Sequence, residues 1–177
     1  TDKYIIIATT RPETIMPDAA ICINPEDERY GWLKGQKVLI PLINKEIPII
    51  EDSYVAMDFG TGCLKVTPAH DVNDYEIGMR HNLPVLDIID DHGRLNEKAQ
   101  ILVGEDRFDA RKKIVKMLEE AGNLEKMEDY TSPIGYSERT NAVIEPRLSM
   151  QWFLKMDALA KDALESVESG AVKLIPD

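Results

Sequence analysis

The sequence contains little of what marks a secreted, membrane-bound or disulfide-stabilised protein. Among 177 residues there are two cysteines. Cys22 and Cys63 lie far apart in the chain and offer no disulfide framework, so we expect free thiols in a cytoplasmic protein. No apolar run approaches the length of a membrane span, and no charged-then-apolar leader opens the chain. We therefore expect no membrane partner.

Basic charge is scarce as well. Lys and Arg number 21 against 32 Asp and Glu, which gives a formal net charge of −11. Affinity for nucleic-acid phosphates comes mainly from Lys and Arg, so this composition argues against a broad nucleic-acid-binding face. It leaves room for a small pocket that receives one end of a nucleic acid whose remainder is held elsewhere.

What the sequence does have is a series of short apolar runs and a few helical stretches. The expected strands are 3–10, 19–23, 37–42, 46–50, 64–67, 83–89 and 125–131, and the expected longer helices are 72–81, 107–121 and 152–167. The early strand suggests a piece of a longer chain. The spacing predicts a mixed β fold with flanking α-helices and a small barrel-like core. Pro41 and Pro48 should confine their strands to edges or bends, and the helices at 107–121 and 152–167 should pack in the core.

Polar groups concentrate at 60–74, around a predicted strand-to-helix corner. Alternation at the end of the strand places Lys65 and Thr67 on one face. Asp71 is a plausible N-cap, and Asp74 lies one turn later on the same side. A ligand amino group would suit the carboxylates, and an ester or phosphate oxygen would suit Lys65. The competing interpretation is a capped helix with solvated surface charges.

Other kinds of chemistry fit the sequence less well. A metal-dependent hydrolase could use His70, Asp71 and Asp74, but these ligands are few and poorly spaced, so we predict no metal. Cys63 beside Gly62 is more consistent with a small buried apolar group than with a nucleophile. The glycines at 60 and 62 fit neither a phosphate-binding loop nor a dinucleotide fingerprint.

Two separated motifs carry a family resemblance. The segments 9–14 (TTRPET), 60–62 (GTG) and 68–74 (PAHDVND) together resemble the editing domain inserted into class I aminoacyl-tRNA synthetases. Among the members of this family the chain is most similar to the valyl form, in 65–67 (KVT), 24–30 (NPEDERY), 80–84 (RHNLP), 107–111 (RFDAR) and 151–153 (QWF). The resemblance covers essentially the whole chain.

The resemblance implies a fold, an activity and partners. The fold would be a β-barrel-like editing core at 1–146, followed by a helical segment at 147–177 that leads back toward the catalytic domain. The activity would be hydrolysis of a wrongly attached amino acid, chiefly threonine, from the 3′ end of tRNA(Val), with the remainder of the synthetase as a further partner. Signatures of amino-acid activation are absent, so this segment should not activate valine.

The family also implies roles for residues, without a cofactor. Asp74 would bind the substrate α-ammonium, and Asp71 or Thr67 would meet the threonine hydroxyl. Lys65 would orient the ester or the water and would form the catalytic set with Thr67 and Asp74. The remaining substrate-binding positions would be Thr9, Thr10, Arg11, Thr14 and Phe59. Hydrolysis would need a positioned water and a stabilised oxyanion rather than a protein nucleophile; which group takes the proton of the water stays open.

The sequence departs from the family pattern in two places. Pro17-Asp18-Ala19 stands where relatives have Gly-Asp-Thr, which changes the expected loop. No cysteine precedes Ile144-Glu145-Pro146, so we predict no zinc knuckle. The acidic net charge motivates a different possibility, a module that binds the charged tRNA end and is catalytically silent without the synthetase body.

Overall fold

A mixed four-stranded sheet forms the centre of the computed structural model, which describes residues 3–175; the outermost residues of the predicted 1–146 and 147–177 divisions lie outside that range. The strands are β1 (Ala20–Ile23), β2 (Lys37–Ile40), β3 (Lys45–Glu51) and β4 (Cys63–Val66). Their order is β2-β3-β1-β4; β1 is parallel to β3, and the other two pairs are antiparallel. The mixed fold is confirmed, but within the described range the sheet is open, so the predicted barrel is not observed.

Of the two settings expected for Pro48, an edge or a bend, the interior position of β3 excludes the edge. Pro48 pairs with Lys37 at the end of the ladder to β2, and the ladder to β1 begins one residue later at Ile49. The missing N–H of proline therefore falls where the strand changes partners. An internal strand accepts a proline here because the ladder to β2 ends at Pro48 and the ladder to β1 begins after it.

Strand β1 is buried on both faces. Ile21 and Ile23 join one group of buried apolar side chains, while Ala20 and Cys22 join another, as the alternation of a strand requires. Helix α2 (Arg107–Glu120) contributes to the first group, and helix α1 (Val72–Arg80) contributes to the second through Ile77. Each fully buried isoleucine is worth about 1.5–3 kcal/mol, so the two groups hold both helices on the sheet.

Each of these two helices begins one residue after an aspartate that caps it. The Asp71 side chain accepts hydrogen bonds from the backbone N–H groups of Asn73 and Asp74, which confirms it as the N-cap of α1. Asp106 caps α2 in the same way through Phe108 N–H. Helix α2 ends at Glu120, next to Ala121, and Gly122 follows with φ +71°. None of the helices described in 3–175 is both long and apolar enough to span a bilayer.

Three predicted strands are wrong. Residues 3–10 and 125–131 form no strand in the structure, and 83–89 contributes only a single bridge between Ile89 and Leu95. Their apolar residues supplied the signal, but apolar burial does not require a ladder. Ile5, Ile7 and Leu86 pack against the first core group from extended segments instead.

The C-terminal part differs from the predicted buried helix. Helix α3 (Asp157–Glu168) starts five residues later than expected and has no buried residue. Trp152 and Phe153 precede the helix and are almost fully exposed. The periodicity was real, but within the described chain nothing covers its apolar face, so the prediction of core packing is wrong.

Candidate active site

The predicted strand-to-helix corner is present. Strand β4 ends at Val66, the His70 N–H donates to the Thr67 carbonyl at 3.0 Å to close a turn, and α1 begins at Val72. The turn carries Pro68, which stops the strand as predicted. Polar groups from β4 and from the first turn of α1 are therefore brought to one place.

Gly78 sets how closely α1 approaches this turn. A Cβ built at position 78 would lie 2.8 Å from Pro68 Cγ, a distance that real Cβ atoms do not show. The helix can lie against the proline because this residue has no side chain. The close contact holds Asp74, one turn earlier, against the end of β4.

The Lys65 ammonium lies at the centre of one polar group. It donates to Asp18 Oδ1 at 2.9 Å, to Thr14 O and Thr14 Oγ1 at 3.3 Å each, and to the Thr67 hydroxyl. The Thr67 hydroxyl in turn donates to Asp18 Oδ1 at 2.6 Å. We call Thr14, Asp18, Lys65, Thr67 and Asp74 the Lys65 cluster. Lys65 is thus a half-buried, fully engaged group and not a solvated surface charge.

Asp18 is the member of the Lys65 cluster that the sequence analysis missed. It is buried beside Lys65 and Thr67, and burial raises the pKa of its carboxyl despite the attraction of Lys65. Its signal was present, because Asp18 is the one residue that Pro17-Asp18-Ala19 shares with the Gly-Asp-Thr of relatives. The contribution of that segment to the site is thus its carboxylate and not only its loop shape.

Asp74 is a buried carboxylate with one oxygen still available. Its Oδ2 accepts the Thr67 N–H at 2.8 Å, and the residue is 7% exposed. Burial, with a contribution from the nearby charge of Asp71, raises the pKa of Asp74 to about 6. The Thr67 bond occupies Oδ2, which leaves Oδ1 for a ligand. A cationic ligand group at Oδ1 would favour the ionised carboxylate.

Asp71 has a different environment from Asp74. It is exposed at the corner, and its Oδ1 accepts the two capping N–H bonds at 2.8 and 3.0 Å. The capping interpretation is therefore confirmed. Its second oxygen, Oδ2, accepts no hydrogen bond among the described residues and is open to a substrate hydroxyl.

A second group of charges surrounds Arg11. Its guanidinium donates to Glu13 at 3.2 Å, to the His70 carbonyl at 3.0 Å, and to Glu145. Glu13 is fully buried and also accepts two bonds from Arg111 at 2.8 and 2.7 Å, while Glu145 pairs with Arg107 at 3.2 Å. We call Arg11, Glu13, Arg107, Arg111 and Glu145 the Arg11 cluster.

Glu13 is a buried anion whose charge is balanced by Arg11 and Arg111. Burial by itself would raise the pKa of its carboxyl, but the hydrogen bonds and charge of Arg111, aided by the charge of Arg11, hold it below its usual value. Arg111 contributes from α2 and fixes that helix to the short 3₁₀ helix at Pro12–Thr14. Sequence reasoning missed these pairings because the partners are separated by 98 residues.

The alternative metal site is not formed. The His70 ring is buried, and its Nε2 accepts the Ile88 N–H at 3.2 Å, so it faces the body and not Asp71 or Asp74. Burial lowers the pKa of His70 to about 4, which keeps the ring neutral. In the described part of the chain, no three His, Cys, Asp or Glu side chains converge as metal ligands would.

Besides Asp71, three predicted substrate-binding residues lie outside both clusters. Thr9 accepts the Arg11 N–H at 3.0 Å in an exposed turn, and Thr10 is exposed beside it. Phe59 is 72% exposed in the loop before Gly60. The structure thus brings together Arg11, Thr14, Lys65, Thr67 and Asp74, and leaves the other three at the surface.

Neither thiol is suited to nucleophilic attack. Both cysteines are free and buried, as expected. Burial raises the pKa of Cys63, and it raises the pKa of Cys22 to about 12. A thiolate is the reactive form of cysteine, so these values argue against a covalent mechanism.

The family described as "Leucyl-tRNA synthetase, editing domain" matches residues 18–130, more than half of the chain. The chain belongs to this editing-domain family. The Lys65 cluster lies in the matched part except for Thr14, and most of the Arg11 cluster lies outside it.

The relatives of this editing domain are valine–tRNA ligases. The chain is 59% identical over 175 residues to the valine–tRNA ligase of Porphyromonas gingivalis, and that match covers 99% of the chain and 20% of the relative. It is 52% identical over 176 residues to the Thermotoga maritima enzyme, again with 99% and 20% covered. The predicted resemblance to the valyl form is confirmed. The chain spans about a fifth of the length of these relatives.

A solved structure supports the fold. It is the ternary complex of Agrobacterium radiobacter K84 agnB2 LeuRS with tRNA and LeuAMS. The TM-score is 0.52 with 24% sequence identity, and the match covers 68% of this chain and 18% of that one. The open mixed sheet with its helices is therefore similar to part of a leucyl-type synthetase.

Proposed function

We propose that this editing domain hydrolyses the aminoacyl ester of mischarged tRNA(Val), chiefly threonyl-tRNA(Val). The observation that carries the proposal is the Asp74 carboxylate, buried at the end of β4 with Oδ1 free and with the Thr67 hydroxyl on the adjoining strand. A buried anion with an unused oxygen is costly unless a cation joins it. The α-ammonium of an aminoacyl ester is such a cation.

Selection of threonine over valine would depend on the Thr67 hydroxyl. That hydroxyl donates to Asp18 and accepts from Lys65, so its direction is fixed. Its remaining lone pair can only accept, and the threonine hydroxyl can donate to it or to Asp71. Valine brings no such donor and leaves these polar groups unmatched. An apolar synthetic pocket rejects an added hydroxyl weakly, for which valine against threonine is the standard example, so a second polar site adds selectivity.

Hydrolysis would proceed by attack of a positioned water on the ester carbonyl. The carbonyl oxygen gains negative charge, the ribose oxygen leaves with a proton, and the free amino acid is released. Lys65 contacts both the Asp18 carboxylate and the Thr67 hydroxyl, although its three N–H groups already face four acceptors. To orient the ester or the water, Lys65 would therefore give up one of these hydrogen bonds. The weak 3.3 Å contacts to Thr14 would be lost first.

The 3′ end of the tRNA would approach from the exposed side of the corner. Arg11 and Thr14 would border the pocket, Thr9 and Thr10 would lie at its rim, and Phe59 would stack on the terminal adenine. The remainder of a synthetase would hold the rest of the tRNA, since a surface of net charge −11 repels phosphates. On this proposal the editing core ends at 146, the segment 147–177 leads to the catalytic domain, and the protein acts in the cytoplasm.

Deacylation of threonyl-tRNA(Val) and valyl-tRNA(Val) tests this function. We expect release of threonine but not of valine, and loss of that release in Asp74→Ala. Glu76→Gln is the matched control, because Glu76 is an exposed acid on the same helix. Equal hydrolysis of both esters would refute the proposed selectivity, and full activity in a folded Asp74→Ala variant would refute the role of Asp74.

The same experiment separates hydrolysis from mere binding. The exposed apolar residues around Trp152 favour a domain that works only when joined to a larger body. Binding of charged tRNA ends without any ester cleavage, by the full-length protein as well as by the 177-residue chain, would identify a catalytically silent module instead.

A further inference from the structure

Arg11 is held by groups that arrive from three separate parts of the chain. Glu13 lies two residues away, the His70 carbonyl belongs to the corner before α1, and Glu145 lies 134 residues away in the sequence. Each nitrogen of the guanidinium therefore has a protein acceptor. The position of this side chain is determined by the carboxylates and not by the local backbone.

Glu145 is itself held on more than one side. Its Oε1 meets Arg11 and its Oε2 pairs with Arg107 at 3.2 Å, and it is 14% exposed. Arg147, two residues later, donates to Asp87 and Asp91 and fixes the same segment to the body. The carboxylate is thus a nearly buried bridge between α2 and the TTRPET segment.

The His70 ring presents a third donor to Glu145. Because Nε2 accepts the Ile88 N–H, the neutral ring carries its proton on Nδ1. In the described residues, Nδ1 is the one fully buried side-chain nitrogen or oxygen without a hydrogen-bond partner. It lies 4.0 Å from Glu145 Oε1. A small movement of the carboxylate would complete this bond, so Glu145 is oriented toward the corner as well as toward Arg11.

We propose that Glu145 is a positioning residue for this site, which fixes the Arg11 guanidinium and, with the His70 ring, the turn that leads to Asp71 and Asp74. The proposal rests on the proposed editing function. Without the Glu145 charge, Arg11 would share a single carboxylate, Glu13, with Arg111, and its hold on the His70 carbonyl would weaken. Glu145 touches no reacting atom and acts through Arg11.

Kinetics of threonyl-tRNA(Val) deacylation by the full-length protein tests the inference. We expect Glu145→Gln to lower kcat/KM by roughly 10-fold, which corresponds to about 1.4 kcal/mol. Glu145→Asp, which keeps the charge on a shorter side chain, should fall in between. In an Arg11→Ala background, Glu145→Gln should cause no further loss, because residues that act through one another are not additive.

Two controls separate positioning from general stability. Arg147→Gln removes the neighbouring anchor of the same segment without touching Arg11, and we expect its kcat/KM to stay within about twofold of wild type. Thermal unfolding identifies any variant that fails to fold, and Glu145→Asp then replaces Glu145→Gln in the comparison.

The outcomes are distinct. An active wild type with unchanged kinetics in a folded Glu145 variant, or losses from Glu145→Gln and Arg11→Ala that add in full, would overturn the positioning role alone. A wild type that does not release threonine would overturn the editing function, and the positioning role would fall with it.

Discussion

The Lys65 cluster and the Arg11 cluster are neighbours built from the same kinds of side chain, yet their charges are balanced differently. In the Arg11 cluster every carboxylate meets two guanidinium groups, and the pKa of Glu13 is lowered. In the Lys65 cluster the ammonium pairs with Asp18, whereas Asp74 has no cationic partner among the described residues, and the pKa values of both carboxyls are raised. A satisfied network holds structure together, whereas an unsatisfied one is prepared for a cationic ligand.

Removing Glu13, the buried anion of the Arg11 cluster, should have the largest effect on stability. Glu13→Gln leaves Arg11 and Arg111 without their shared partner, and breaking a buried pair in this way costs about 3–5 kcal/mol. We expect urea unfolding to show a loss in this range. Glu119→Gln, an exposed acid on the same helix as Arg111, is the control and should change stability by less than about 0.5 kcal/mol. A loss below 1 kcal/mol for Glu13→Gln would remove the contrast between the clusters.

Asp74→Asn should preserve stability and impair activity, in contrast to the loss of stability expected for Glu13→Gln. It removes a costly buried charge, so we expect unfolding stability at pH 7 to be equal to or above that of wild type. Deacylation should fall by at least about 30-fold, since losing a buried charged partner of a ligand costs about 2 kcal/mol or more. Measuring both quantities on one preparation is decisive. A destabilised but active variant would place Asp74 with the structural cluster.

The pH dependence of stability sharpens the comparison. Asp74 has a folded pKa of about 6, above the ordinary aspartate value of 3.8, so its contribution to stability decreases as pH rises from about 4 to 6. His70 has a folded pKa of about 4, below 6.5, so its contribution increases with pH over an overlapping range. These two opposing contributions to the pH dependence of stability nearly cancel in the wild type. Asp74→Asn should therefore lose stability, relative to wild type, as pH falls from 6 to 4, as urea unfolding at several pH values can test.

The pH dependence of activity should follow the ionisation of Asp74 alone. Binding an α-ammonium requires the ionised carboxylate, so kcat/KM for threonyl-tRNA(Val) should decline as pH falls through about 6. His70 is neutral throughout this range. An activity profile that stays flat down to pH 5 would indicate that the Asp74 charge is not used.

The smallest effect expected is at Asp71, where capping and binding can be separated. Asp71→Ala should destabilise by about 1 kcal/mol through loss of the N-cap, and Asp71→Ser should restore most of this. If Asp71 meets the threonine hydroxyl, the Ser variant keeps stability but discriminates less between threonine and valine esters. Equal discrimination in Asp71→Ser and wild type would leave Thr67 as the group that recognises the hydroxyl.

Local patterns predicted the corner well. The alternation at Lys65 and Thr67, the proline stop and the Asp71 cap involve residues a few positions apart, and all three features are present. The sites that were missed depend on distant partners. Glu145 and Arg111 reach the TTRPET segment from more than 90 residues away, and no periodicity carries such a signal. The same limit explains the false strand at 83–89, where Ile88 and Ile89 are buried without a ladder to join.

The contact between Gly78 and Pro68 has a consequence for which sequences this fold can use. Position 78 touches no proposed ligand, yet any side chain there meets the proline ring at 2.8 Å and moves α1 away from β4. Asp74 would move with the helix and lose its bond to Thr67. In a library that samples all amino acids at each position, residue 78 should therefore tolerate as little variation as the carboxylates themselves, and its intolerance would report the spacing of two backbones.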